Sequence, residues 1–147
     1  MCTPGTNVET DGKLFATHCL NSRSKTCDGE QWVRVEIEVR GDEQITHMID
    51  GQTVLSYEKA QNGGGNVSGH EAVKKDGMLL SEGYISLQSE SHPVEFCKVE
   101  LLNLTGCTDR NASNDKTYFV KSDNSNCRYD RPTSSAGTSR TSQPCPR

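Results

Sequence analysis

The chain has 147 residues, 31% hydrophobic and 24% charged, with a formal net charge of -4 and a mean hydropathy of -0.74, which allows one domain with a small core. The acidic balance argues against nucleic acid as a partner, because phosphate binding draws on clustered Lys and Arg. No apolar run approaches the length of a membrane span, and the opening MCTPGTNVET has neither the basic nor the apolar region of a signal peptide.

Residues Met1 to Gly29 are polar and rich in turn formers, with Lys13 to Ala16 the one short strand they suggest; the stretch 1–30 reads as an irregular lead-in. Trp32 to Arg40 alternates strictly, placing Val33, Val35, Ile37 and Val39 on one face and Arg34, Glu36, Glu38 and Arg40 on the other. This predicts a half-buried strand. Gln44 to Ile49 and Gln52 to Glu58 flank Asp50-Gly51, the dipeptide a two-residue type I′ turn demands, and so form a hairpin. An uninterrupted register pairs Ile49 with Gln52, His47 with Val54 and Ile45 with Ser56. It sets His47 on the face of Ile45, Ile49 and Val54, and Tyr57, opposite Gln44, on the other.

Ala60 to Gly77, with Gly63-Gly64-Gly65, lacks periodicity and reads as a mobile linker. A phosphate cradle would need a strand leading in and a Lys-Ser/Thr following. Tyr84 to Ser89 reads as a strand with Ile85 and Leu87 on one face. Pro93 to Leu104 reads as a longer one, whose apolar phase shifts in a way that a bulge near Cys97 or Lys98 would explain. No helical repeat appears, so the class is all-β, and consecutive strands with turn signals favour a sandwich. Beyond Arg131 the tail SSAGTSRTSQPCPR is too polar to fold and is expected to be disordered.

Seven cysteines, none in a CxxC pair, predict disulfides in preference to zinc, and their odd number leaves at least one thiol free or paired outside the chain. With the absent signal peptide, this suggests a natural start upstream of Met1.

The run EQWVRVEIEVRGDEQITHMIDGQTVLSYEKAQ, followed by DGMLLSEGYISLQSESHPVEFCKVELLNL, resembles the closing strands of the 3-keto-disaccharide hydrolase family. The features that carry the resemblance are Trp32 opening a strand, Gly41, His47 ahead of Asp50-Gly51, Tyr57, Gly83 to Gln88 and His92 to Phe96. It extends weakly back to about Thr3. It implies the C-terminal part of a concanavalin- or laminin-G-like jelly roll over residues 31–104, in a protein exported by bacteria to the periplasm or beyond. The family's earlier strands would precede this region, so the resemblance also implies a truncated, impaired copy. Cys97 stands where the family has an Arg, removing a cation that could pair with a carboxylate or a sugar.

Gly106 to Cys127 is similar to GCTD-type repeats of exported surface proteins, which are akin to thrombospondin type 3 repeats. That likeness over residues 106–129 implies a Cys107–Cys127 disulfide. It also offers Asp109, Asn111, Asp123 and Asn124 as oxygen ligands for calcium, although a simple disulfide-stapled loop fits the small number of carboxylates better.

Within the family's chemistry, cleavage of a glycoside oxidised at C3 of the sugar, His47 is the candidate acid or base because imidazole titrates near neutrality. A half-buried structural histidine is the alternative. His92 and Glu95 are further catalytic candidates and Tyr57 and Gln88 candidate sugar contacts, although a solvated strand face fits Glu36 and Glu95 better than catalysis. His18 and His70 sit in polar loops and read as inert. No cofactor is specified beyond a possible divalent metal to stabilise an enolate. The partner is a carbohydrate, and the expected functions are hydrolysis or lyase cleavage of 3-keto-glycosides or, as the alternative, non-catalytic carbohydrate binding at a cell surface.

Overall fold

The computed structural model describes residues 5–63, 75–89 and 92–130. Of the stretch Ala60 to Gly77 read as a mobile linker, Ala60 to Asn62 instead end a strand and 64–74 lie outside the described residues, as does the tail from 131. The chain divides into two compact units, 1–88 and 89–147, and among the described residues the regular structure is all β apart from one 3-10 turn.

The first unit is a five-stranded antiparallel sheet. Its strands are β1 (Thr6–Thr10), β2 (Lys13–Phe15), β3 (Val35–Arg40), β4 (Gln44–Ile49) and β5 (Gln52–Asn62), in the order β2-β1-β5-β4-β3. The lead-in therefore contains a hairpin of its own. Asp11 and Gly12 take φ angles of 51° and 70°, the same left-handed pair that Asp50 and Gly51 use at 49° and 78° in the β4–β5 turn. β1 was invisible to alternation because only Val8 among its five residues is apolar, yet Val8 is the side chain it buries.

β5 runs the length of the sheet, pairing with β4 through its first half and with β1 through its second. At the switch Lys59 adopts φ 46° and the β1 register slips. Lys59 Nζ then reaches Glu9 Oε2 at 2.7 Å across the two strands. After the linker, Leu79 bridges Gln61 and the Leu80 amide donates to the Ala60 carbonyl at 2.7 Å, extending the sheet beside the end of β5.

The core lies on one face: Val8, Ile45, Tyr57 and Ala60 are buried, with Phe15, Leu20, Leu55 and Leu80 packed around them. The alternating face of β3 is oriented as expected but is not half-buried. Val35, Ile37 and Val39 are 62%, 58% and 54% exposed, and β3 is the sheet's edge. Glu36 and Glu38 on the opposite side are the partly covered ones, each paired with an Arg two residues away along the chain, Arg34 and Arg40.

The two strands expected over Tyr84 to Ser89 and Pro93 to Leu104 do not form within the described residues, so the proposed bulge near Cys97 has no ladder to interrupt. Their alternation is genuine, and Ile85, Leu87, Val94, Phe96, Val99 and Leu101 are exposed. A strand also needs a neighbour for its backbone amides and carbonyls, which alternation does not supply.

In the second unit, β6 (Thr105–Gly106) runs parallel to β7 (Lys121–Ser122), followed by a 3-10 turn at Asn124–Asn126. Cys107 and Cys127 form the disulfide expected from the repeat likeness. Cys19 and Cys97 are also disulfide-bonded, and Cys27 is free.

A candidate site on the β3–β4–β5 face

The β4–β5 hairpin carries one departure from regular pairing, and it decides the site. Ile49 pairs with Gln52 and Met48 with Thr53, but His47 pairs with Leu55, Thr46 with Ser56 and Ile45 with Tyr57. Val54 is the extra residue of a β-bulge, and a one-residue insertion reverses the facing of everything after it. The expectation that Tyr57 faces away from His47 is therefore wrong. The two share a face, with His47 Nε2 3.0 Å from the Tyr57 hydroxyl and the rings 5.5 Å apart at 40°.

The bulge is held from outside the hairpin. The Arg23 amide donates to the Val54 carbonyl at 2.8 Å, docking the lead-in chain beside the bulged residue. Between that chain and the sheet lies a depression of about 250 Å³, lined by Ser22, Val35, His47, Met48, Ile49, Val54 and Leu55. His47 is its one titratable side chain. Directly across the strands stand Ile37 on β3 and Leu55 on β5, with Ile45 and Ile49 two residues away on β4.

These surroundings strip solvent from the imidazole, and that burial holds its pKa below the usual histidine value. Burial pushes the Tyr57 phenol the other way, above its usual value. At neutral pH the pair is a neutral imidazole and an intact hydroxyl. Of the residues lining the depression, sequence reasoning missed Ser22, Val35, Met48 and Leu55. The adjacent apolar residues Val54-Leu55 were a readable signal, since two consecutive apolar positions within an alternating strand mark a phase shift.

The remaining candidates stand elsewhere. Gln88 is exposed at the end of the first unit, while His92 and Glu95 are exposed in the second. His18 is exposed, and His70 lies outside the described residues. In the second unit Asp109 accepts hydrogen bonds from the Asn111 amide and side chain and from the Tyr129 hydroxyl at 2.7 Å. Tyr129, then Asn111, lower its pKa. Asp123 accepts from Ser125 and Asn126, which lower its pKa, and the Asn124 side-chain oxygen accepts from the Thr108 amide.

The side-chain oxygens of Asp109, Asp123 and Asn124 thus serve as acceptors within the loop, while Asn111 donates to Asp109. No cluster of three or more His, Cys, Asp or Glu side chains placed to hold a metal occurs among the described residues. At the depression, one imidazole amid aliphatic side chains does not make a divalent-metal site.

The fold is all β, with a half-buried imidazole above an apolar hollow on an antiparallel sheet. The profile of the 3-keto-disaccharide hydrolase family, described as a 3-keto-alpha-glucoside-1,2-lyase-like domain, matches residues 5–102, about two thirds of the chain, and the chain belongs to that family. No curated protein and no solved structure matches it. No helix among the described residues is long and apolar enough to cross a membrane.

Proposed function

We propose that the chain is a carbohydrate-active domain for glycosides oxidised at C3, weakened as a catalyst, with the oxidised sugar seated at the depression beside His47. The observation that carries this reading is the placement of His47, the one titratable side chain lining that hollow. A volume of about 250 Å³ falls below the roughly 300–1,000 Å³ of sites for larger ligands, which suits one pyranose ring with its aglycone projecting outward.

In a 3-keto sugar the carbonyl acidifies the proton at C2. Its removal yields an enolate, and expulsion of the C1 substituent leaves an enone to which water adds. His47 supplies the proton-transfer or hydrogen-bonding group for this sequence. One observation supports weakened catalysis, that the hollow holds no second acid, base or cation beside His47, and the resemblance to the family implies a second, Cys97 in the place of an Arg. The uncovered apolar face of β3 is consistent with a partial copy of the jelly roll.

The same lone titratable group favours one alternative, a carbohydrate-binding module without turnover. The disulfides at Cys107–Cys127, Cys19 and Cys97 support residence in the periplasm or outside the cell, where thiols oxidise.

The test is release of nitrophenol from a 3-keto-α-glucoside bearing that aglycone. The chain is expected to release it slowly, and His47→Gln to reduce the rate on the order of 100-fold, the usual contribution of a positioned acid or base. An unchanged rate in His47→Gln would refute the assignment. Saturable binding of the substrate with no release would establish the binding module instead.

A further inference from the structure

We propose that Tyr57 is a positioning residue that fixes the tautomer of His47, donating its hydroxyl proton to Nε2 so that the neutral ring carries its own proton on Nδ1. The inference rests on the reading of His47 as the group that meets the sugar, and it reassigns Tyr57 from a sugar contact to the support behind that group.

Three observations converge on it. The Val54 bulge exists in a strand that would otherwise turn Tyr57 to the opposite face, so the pairing at 3.0 Å is a product of the local fold. Tyr57 is 7% exposed, packed with Val8, Ile45 and Ala60, which leaves its ring little freedom to turn toward a ligand. Finally, among the described residues the His47 ring is the polar partner its hydroxyl has. The nearest cross-strand neighbours of His47 are Ile37 and Leu55, neither of which offers a competing donor or acceptor.

The direction of the hydrogen bond follows from satisfying the hydroxyl. If Nε2 carried the proton and donated to Tyr57, the phenolic O–H would be a buried donor without an acceptor, which costs about 1–3 kcal/mol. If Tyr57 donates, its proton and the Nε2 lone pair are both used. The second ring nitrogen then bears N–H, and the partner of one nitrogen dictates the protonation of the other.

The consequence is chemical. With Nε2 engaged and burial favouring the neutral ring, His47 meets the sugar as a neutral N–H donor. Such a group can hydrogen-bond the C3 carbonyl oxygen and the enolate oxygen that develops from it. His47 then serves on the acid side of the reaction, as the group that stabilises the oxyanion.

Side-chain ¹⁵N NMR of the full chain tests this without any turnover. The four histidines are distinguished by the signals that disappear in His47→Gln. In the wild type at pH 7.5, Nε2 of His47 is expected in the unprotonated shift range and Nδ1 in the protonated range. In Tyr57→Phe, with folding checked by the backbone amide spectrum, the tautomer is expected to relax toward Nε2–H, moving the Nε2 signal into the protonated range.

A wild-type ring protonated on Nε2 would overturn the proposal whether or not the variant folds, and so would a His47 spectrum unchanged by Tyr57→Phe. Because the readout is spectroscopic, failure of the glycoside assay bears on the proposed function alone. Failure of the tautomer measurement bears on Tyr57.

Discussion

His47 is neutral in the folded chain because its neighbours are Ile37, Ile45, Ile49 and Leu55, and charging it there forfeits hydration the unfolded chain retains. Its folded pKa lies below the unfolded value of about 6.5, so the unfolded state binds the extra proton first as pH falls. The stability is fully present above that value and is lost as pH drops from it toward the folded pKa. The midpoint of thermal unfolding is expected to fall between pH 7.5 and pH 5 in the wild type, with a smaller fall in His47→Gln. A wild-type midpoint as high at pH 5 as at pH 7.5 would show that the ring protonates without penalty. Tyr57 carries packing as well as its hydrogen bond: Tyr57→Ala is expected to cost about 3 kcal/mol in denaturant unfolding, and Tyr57→Phe about 1 kcal/mol. His47 was legible from its position before Asp50-Gly51 and from the residues around it. Its contact with Tyr57 was not, because a pattern of period two assigns the wrong face to every residue beyond an unrecognised insertion.

The Val54 bulge is the element on which the site depends. Deleting Val54 removes the extra residue and restores an uninterrupted hairpin that keeps His47 opposite Leu55 and Ile45 opposite Tyr57. It is expected to remove the hydrogen bond from the Arg23 amide while retaining contacts between the His47 and Tyr57 rings in NOE spectra; loss of those contacts would show that the register beyond Val54 does not by itself bring the rings together. The disulfide loop of the second unit depends on a different device. Its described buried apolar residues are Cys107 and Ala112, and the rest is tied by hydrogen bonds such as those between Ser113 or Asn114 and Arg128. With its cysteines 20 positions apart in the sequence, the bond contributes about 3 kcal/mol by chain-entropy reasoning. Reduction is therefore expected to let trypsin cut first at Arg110, Lys116 and Lys121, sites resistant in the oxidised chain. The hairpins at Asp50-Gly51 and Asp11-Gly12 use the same turn chemistry, but the second escaped notice because Thr6–Thr10 buries a single apolar side chain. The segments Tyr84 to Ser89 and Pro93 to Leu104 fail in the opposite way: their alternation is clear, and the described chain provides no strand to pair with them.

Across the whole molecule the described apolar side chains outnumber the places to bury them. Val35, Ile37 and Val39 lie open along an edge strand, and an open apolar edge invites association. Sedimentation is expected to show concentration-dependent self-association that Ile37→Lys weakens; a monomer at high concentration would contradict this. Family membership was legible from the Trp32, His47-Asp50-Gly51 and His92 to Phe96 features together, and the matched span of 5–102 follows the region they mark out. The placement of a sugar against the β3–β4–β5 face is the central claim, and it holds for the catalyst and the binding module alike. Titration of the full ¹⁵N-labelled chain with a 3-keto-α-glucoside, followed by backbone amide shifts, tests it most directly. Saturable shifts are predicted at His47, Ile49, Val54 and Leu55, while no saturable shift there, or shifts confined to residues 106–130, would contradict it.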